Sequence, residues 1–238
     1  MKRRVILLIG YALVFTGSLA AQEGLSVKSA ELSISVGGSN SSNKTFTIGA
    51  PQASTPITGV MRLNSGLIYE ARVNFYTSRH IGSEFLYGYQ YTGVNFIRNS
   101  PSQRSFNVPL QVQTLALNLL YYPFGENTST WRPFVTIGGG AVIYRPSTGG
   151  QASAKDPLQG NFDTFFESSR GSGLVGGGVK HPITKSLGFR ADACGVFTKV
   201  PTFGLPTSST TSNAIVLPVG GLVHSVRASA GLIIYLGK

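Results

Sequence analysis

Three histidines are the side chains of this sequence best suited to acid and base catalysis, because an unperturbed imidazole titrates near neutral pH. They are His80, His181 and His224, and Ser225 directly follows the last of them. A nucleophilic serine needs a base within hydrogen-bond reach, but adjacent residues on a strand point to opposite faces. His224 and Ser225 therefore cannot simply act as base and nucleophile. With no third group visible, we predict that the protein is not an enzyme.

Cofactor and metal signals are weak in this chain. Gly171, Gly173 and Gly176 match the pattern G-x-G-x-x-G, but a strand-like segment follows them instead of the helix that a dinucleotide's phosphates need. The only cysteine, Cys194, excludes an intramolecular disulfide and a multi-cysteine metal site. Neither G-x-S-x-G nor H-E-x-x-H occurs. We therefore predict no cofactor and no metal.

A set of charged residues is more informative, because each lies on the polar face of a segment that alternates apolar and polar residues. The acidic members are Glu31, Glu70, Glu84 and Asp192, and the basic members are Arg72, Lys180, Arg190 and Arg227. The two signs balance. An isolated charge in a narrow interior would be costly, and pairing offsets that cost. We predict that these side chains form a charge network inside the fold.

The stretch 67–91 shows the kind of element that would position these charges. In its first arm Tyr69 and Phe75 share one face while Glu70 and Arg72 share the other, which is the period of two that a strand imposes. In its second arm, one phenylalanine and three tyrosines alternate with small, polar and apolar residues. We predict a β-hairpin with residues 77–81 as its turn.

The same alternation predicts eight strands along the chain. They are residues 27–37, the two arms of 67–91, 108–122, 133–145, 173–181, 187–199 and 222–236. Long polar connections at 38–66, 97–107, 146–172 and 201–221 alternate with short turns. Bacterial outer-membrane barrels have an even strand number, short periplasmic turns and longer external loops. The predicted fold is all-β, an eight-stranded antiparallel up-and-down transmembrane β-barrel.

Composition favours a membrane barrel over a soluble barrel of the lipocalin type. Charged residues make up only 12% of the chain, against about 25% in soluble domains. No segment after the N-terminal region reaches the roughly 18 apolar residues of a membrane-spanning helix. The non-apolar strand faces contain mostly Ser, Gly, Thr, Asn and Gln. Such faces are too sparse in charge for a solvated exterior but suit a narrow lumen.

The N-terminus predicts export. Lys2, Arg3 and Arg4 precede an apolar run at 5–15 and then small residues, which is the pattern of a secretory signal peptide. We predict a signal peptide at 1–20 and an outer-membrane β-barrel domain at 21–238. The net charge is +11, and removing the three basic residues leaves 11 − 3 = +8. Because no basic run or basic helix occurs, we expect anionic lipid, and not nucleic acid, as the partner of this charge.

Strand number, connection rhythm and length resemble the small eight-stranded outer-membrane barrels, namely the OmpA-like transmembrane domain, OmpX and OmpW. The chain departs from such barrels at its end, Tyr235-Leu236-Gly237-Lys238, where they commonly have an aromatic residue. The resemblance implies a monomer in the bacterial outer membrane. We predict a structural or surface-interaction role with a plugged lumen, because eight strands leave room only for side chains. One alternative is a narrow OmpW-like channel for ions or small apolar solutes, and a distant one is a lipid A-modifying enzyme.

The predicted external side is basic. Its charged residues are Lys44, Arg62, Arg98, Arg104, Arg145, Lys155, Arg170 and Lys199, against Asp156, Asp163 and Glu167, a balance of 8 − 3 = +5. Basic side chains near anionic head groups gain on the order of 1 kcal/mol each. We therefore predict that Arg98, Arg104 and Arg145 contact lipopolysaccharide phosphates. Of the interior charges, all but Arg227 are expected in or near the periplasmic half.

Overall fold

The computed structural model describes residues 29–41, 46–50, 57–100, 103–125, 131–162, 164–208, 216 and 221–236. The predicted signal peptide, residues 1–20, lies outside this part of the chain. Among the described residues, no helix is both long enough and apolar enough to span a membrane.

Ten strands and one short helix make up the described fold. The strands are β1 Ser29–Ser41, β2 Phe46–Ala50, β3 Ile57–Leu63, β4 Gly66–Tyr76, β5 Ile81–Ser100, β6 Arg104–Tyr121, β7 Arg132–Pro146, β8 Ser168–Pro182, β9 Leu187–Lys199 and β10 Leu222–Leu236. The helix, α1, is Thr148–Lys155.

Eight of these strands close into a barrel. β1 pairs with β4 on one side and with β10 on the other, and β5 pairs with β6, so no edge remains among β1 and β4 to β10. Every pairing is antiparallel; Ile34, for example, lies opposite both Ala71 and Leu232. The predicted eight-stranded antiparallel barrel is therefore confirmed. We call its two ends the turn end, which has the tight turns 77–80 and 183–186, and the loop end.

The remaining two strands lie in a segment for which the sequence predicts a loop. Residues 38–66 contain β2 and β3, and β3 pairs with the upper part of β5, where Leu63 lies opposite Val94. β5 has 20 residues and its neighbour β4 only 11, so β5 would otherwise have an unpaired edge at the loop end. An unpaired edge leaves backbone donors and acceptors without hydrogen-bond partners. β3 provides these partners for β5.

Two other predicted loops are also partly regular. The segment 97–107 is largely strand, because β5 and β6 continue as a hairpin in which Phe96 stacks on Phe106 with ring centroids 5.1 Å apart. The segment 146–172 contains α1, whose first turn is capped where Gly150 N donates to Ser147 Oγ at 3.0 Å. Both segments consist mostly of polar residues and turn formers, so their few phenylalanines give no periodic pattern from which a strand or helix could be predicted.

The two faces of the wall have the polarity of a membrane barrel. Large apolar side chains point outward, and Ile34, Ile137 and Leu232 are 58–63% exposed. Inward-facing charged residues such as Glu70 and Arg72 are buried. A soluble barrel would have the opposite arrangement, so the choice of a membrane barrel over a lipocalin-type barrel is confirmed.

Candidate functional site

The interior nearest the turn end contains a small aromatic group. Tyr76, Leu120, Tyr122 and Phe134 form a buried cluster, in which the rings of Tyr76 and Tyr122 are 5.4 Å apart. These residues come from the turn-end parts of β4, β6 and β7 and from the residue after β6. We call this cluster the floor of the lumen, because the charged residues pack against its loop-end side.

The first ion pairs lie directly on this floor. Lys180 Nζ is 2.5 Å from Glu31 Oε2, and the Tyr76 hydroxyl donates to Glu31 Oε1 at 2.6 Å. Asn74 Nδ2 donates to Glu31 Oε2 at 3.3 Å. A fifth residue, Arg132, lies 3.9 Å from Glu31 Oε1. Since β1, β4, β7 and β8 all contribute, these contacts join opposite sides of the wall.

A second group of ion pairs fills the middle of the lumen. Arg72 Nη2 is 2.6 Å from Glu70 Oε2 and 2.9 Å from Asp192 Oδ2, while Arg190 pairs with Glu84 and with Asp192, the latter at 3.0 Å. All of these side chains are at least 93% buried. The structure thus brings seven of the eight predicted interior charges into ion pairs, and the exception is Arg227.

Arg227 lies apart from the other charges. Its side chain is buried, and Nη2 donates to Thr114 Oγ1 at 2.8 Å. Within the described part of the chain it makes no ion pair. On β10 it lies nearer to Leu222, at the loop end, than to Leu236, at the turn end.

The sequence prediction missed several partners of the network. The predicted strand begins only at residue 133. In the structure Arg132 is the first residue of β7, and its side chain lies on the same buried face of the strand as that of Phe134. Its guanidinium lies 5.0 Å from the ring centre of Tyr76, in cation–π geometry. Period-two counting extended back from Phe134 would have placed Arg132 inside. The polar residues Asn74 and Tyr76 were missed because uncharged side chains give no comparable signal.

The loop end of the interior is apolar, which the expectation of a polar lumen did not include. Phe96, Phe106, Phe162, Phe165 and Phe203, here called the aromatic plug, pack on one another with ring centroids 4.6–6.2 Å apart. Four of the five are buried, and Phe106 packs against them as a half-buried residue. Three of them come from the connections after β7 and β9, which therefore fold over the loop end.

The three predicted lipopolysaccharide contacts lie at the loop ends of β5, β6 and β7. Arg98 and Arg104 face each other across β5 and β6, and Arg104 Nη1 also donates to Leu158 O at 2.6 Å. Arg145 Nε lies 2.7 Å from Glu167 Oε2, in a pair that is 42% and 30% exposed. Arg145 lies level with Gln111 and Tyr91, whereas Arg98 and Arg104 lie further out along β5 and β6, so the three arginines do not form one compact site.

The three histidines lie on different elements, and each has an aromatic or backbone neighbour. His80 Nδ1 lies 2.8 Å from Tyr122 O, and His181 and Trp131 have ring centroids 4.4 Å apart. The His224 ring stacks on that of Phe197, its partner across β9 and β10, with ring centroids 4.7 Å apart. Among the residues that the structure describes, no three His, Cys, Asp or Glu side chains form a group that could hold a metal ion.

A closed antiparallel barrel with an apolar exterior, charged interior and tight turns at one end is an outer-membrane β-barrel. Known structures agree. The crystal structure of outer membrane protein OprG from Pseudomonas aeruginosa is 11% identical, covers 90% of this chain and 99% of its own, and has a TM-score of 0.54. That of Neisserial surface protein A is 12% identical, covers 89% and 99%, and has a TM-score of 0.52. No family model and no curated protein sequence matches the chain.

Proposed function

We propose that this protein is a monomeric outer-membrane barrel with a structural or surface-interaction role, and that its lumen does not conduct ions. The observation that carries this proposal is the set of ion pairs that join facing walls. Arg72 on β4 pairs with Asp192 on β9, and Glu84 on β5 pairs with Arg190, also on β9. An interior of eight strands has room for little more than these side chains.

The aromatic plug supports the same proposal independently. It occupies the loop end, whereas the ion pairs occupy the middle, so a permeating ion would have to pass both. A hydrated ion that enters an apolar layer loses water contacts without gaining polar partners. Phe165 and Phe203 are fully buried in this layer, with ring centroids 4.6 Å apart.

Conductance of the refolded protein in a planar bilayer tests the closed lumen. We expect no stepwise, ohmic conductance from samples whose heat-dependent migration on SDS gels shows that they are folded. The double variant Phe165→Ala/Phe203→Ala should still lack large conductance, because the ion pairs below remain. Large open-channel currents from the wild-type protein would contradict the proposal.

The surface role rests on basic side chains at the loop end. Arg145 lies in one row with Tyr91, through Gln111 on the strand between them, and Tyr91 is 54% exposed. Tyrosines are enriched at the level of the lipid head groups. Arg98 and Arg104 lie opposite each other on the same two strands, further from the barrel middle than Tyr91 and Gln111. We propose that all three contact lipopolysaccharide phosphates, which arginine binds well because its donors match phosphate geometry.

Binding of lipopolysaccharide at low and high salt tests this part. The double variant Arg98→Gln/Arg145→Gln should bind more weakly than the wild-type protein at low salt, and the difference should shrink at high salt. The matched control is Arg79→Gln/Lys185→Gln, which removes the same charge from turns at the opposite end. Equal binding by all three proteins, with no dependence on salt, would rule out an electrostatic contact.

A second candidate function is a passage for small apolar solutes, because the loop-end half of the lumen is apolar. Val112, Val142 and Val196 continue the plug down along the wall and are at most 4% exposed. Uptake of an apolar dye into vesicles that contain the protein tests this candidate. Faster uptake than by empty vesicles, increased further by Phe165→Ala, would favour a passage over a closed barrel.

A further inference from the structure

One buried arginine in the lumen has no acidic partner among the residues that the structure describes. The residue is Arg227 on β10, which is 3% exposed and reaches across the interior to Thr114 on β6. Its guanidinium also lies beside Gly88, where a Cβ added to the glycine would be 3.7 Å from Nη1. The side chain therefore crosses the lumen between the ion pairs below and the apolar layer above.

Most donors of this guanidinium are unused within the described part of the chain. Nη2 has Thr114, but Nε and Nη1 have no hydrogen-bond partner. Ser39 lies opposite Arg227 in the register of the neighbouring strand β1, and its buried hydroxyl also has no hydrogen-bond partner among the described residues. Residues opposite each other on one face of an antiparallel pair are side by side. The Arg227 side chain extends away from Ser39 toward Thr114, so the unused donors that lie together are those of its own guanidinium, and buried donors normally have acceptors.

The charge balance of the interior points the same way. The described lumen contains five cationic side chains, Arg72, Arg132, Lys180, Arg190 and Arg227, and four carboxylates, Glu31, Glu70, Glu84 and Asp192. Each of the other four cations lies within 4.0 Å of a carboxylate. The single excess positive charge is that of Arg227. A buried charge without compensation is strongly unfavourable.

We propose that the Arg227 guanidinium binds a small monovalent anion of the chloride class inside the lumen. One negative charge matches the one excess positive charge, whereas phosphate would overcompensate it. The unused N–H groups at Nε and Nη1 are the donors that such an anion needs. The apolar layer above, which includes Val112 and Val142, limits water at this level and so strengthens the attraction between the two charges. The site does not depend on the proposed function of the barrel.

Bromide in place of chloride tests the site directly. In crystals of the wild-type protein grown with sodium bromide, we expect one anomalous peak within hydrogen-bond distance of the Arg227 guanidinium. The variant Arg227→Met should lose this peak, and the control Arg145→Met, which changes an exposed arginine, should retain it. Electron density beside the Arg227 guanidinium without anomalous signal would mean that water, and not an anion, occupies this position, and it would overturn the proposal.

Stability in solution gives a second test that needs no crystals. Ligand that binds only the folded state raises the folding equilibrium constant in proportion to its concentration above Kd. A tenfold increase in chloride at constant ionic strength, with gluconate as the replaced anion, should therefore raise this constant up to about tenfold in the wild-type protein. Arg227→Met should abolish this effect. Equal chloride dependence in the wild type and Arg227→Met would refute the site.

Discussion

Replacing Arg190 by methionine tests whether the buried ion pairs stabilise the barrel. Arg190 is 1% exposed, pairs with Glu84 and lies 3.0 Å from Asp192. Methionine is unbranched and of broadly similar length, so it can keep much of the contact with Phe134, over whose ring the guanidinium lies at 4.7 Å. The substitution therefore removes the charge with little change in packing.

The structure sets the expected magnitude near the lower end of the range for a broken buried ion pair, which is about 3–5 kcal/mol. Glu84 would retain Asn118 Nδ2 at 3.2 Å and Arg72 Nε at 3.7 Å. Asp192 would retain Arg72 at 2.9 Å and the Ser229 hydroxyl at 2.8 Å. Because neither carboxylate is left without a donor, we expect a loss of about 3 kcal/mol in the free energy of unfolding.

Urea unfolding of the protein in lipid vesicles, followed by the fluorescence of its single tryptophan, measures this loss. The matched control is Arg145→Met, which breaks the exposed pair with Glu167 and should change stability by at most about 1 kcal/mol. Adding Glu84→Gln to Arg190→Met should recover part of the loss, because it removes the buried carboxylate whose closest cation was Arg190. If Arg190→Met is no more destabilising than the control, the buried pairs do not have the role that we assign to them.

Three further predictions concern the wall, the plug and the closed fold. Gly140→Ala should lower the free energy of unfolding by about 1–3 kcal/mol, because a Cβ there would lie 1.9 Å from a backbone oxygen of β6. The control Gly171→Ala, whose Cβ would have no atom within 4 Å, should be neutral in the same urea assay. Phe165→Ala should cost about 3–5 kcal/mol because its ring is fully buried, and Phe166→Ala, at a ring that is 50% exposed, should lower the unfolding midpoint much less. Unheated and boiled samples should migrate differently on SDS gels, since a closed barrel has no free strand edge; identical migration would contradict the barrel.

The membrane-spanning part of the fold was predictable because each of its residues obeys one simple rule. A lipid-facing wall needs apolar residues at every second position, and Tyr69 and Phe75 on one face with Glu70 and Arg72 on the other meet this need. Tight turns then fix the order of the strands. Strand closure followed from the even count and from the alternation of long and short connections.

The loop end was not predictable in the same way, because its strands face protein and water and are not bound to the lipid pattern. β2 and β3 form where β5 would have an unpaired edge, which depends on the relative lengths of β4 and β5. The aromatic plug depends on tertiary packing between distant segments, such as Phe96 against Phe165 with ring centroids 5.6 Å apart. Nothing local marks those two residues as partners.

The interior charges show a similar division. The parity of each strand indicates which side of the wall a residue faces, so Lys180 and Glu31 could be assigned to the lumen from the sequence. Which charges meet depends on strand register and on height in the barrel. The predicted balance of four cations and four carboxylates omitted Arg132, and including it leaves one excess positive charge among the described lumen residues.

The order of the interior layers has a physical consequence for the charged layer. The aromatic plug covers the ion pairs from the loop end, and the cluster around Tyr122 covers them from the turn end. Both covers limit access of water, so the pairs interact at a lower effective dielectric constant than an exposed pair such as Arg145 and Glu167. The same burial makes any unmatched charge more costly. A closed, narrow lumen therefore needs close charge balance, and among the described residues Arg227 is the one whose charge no carboxylate side chain balances.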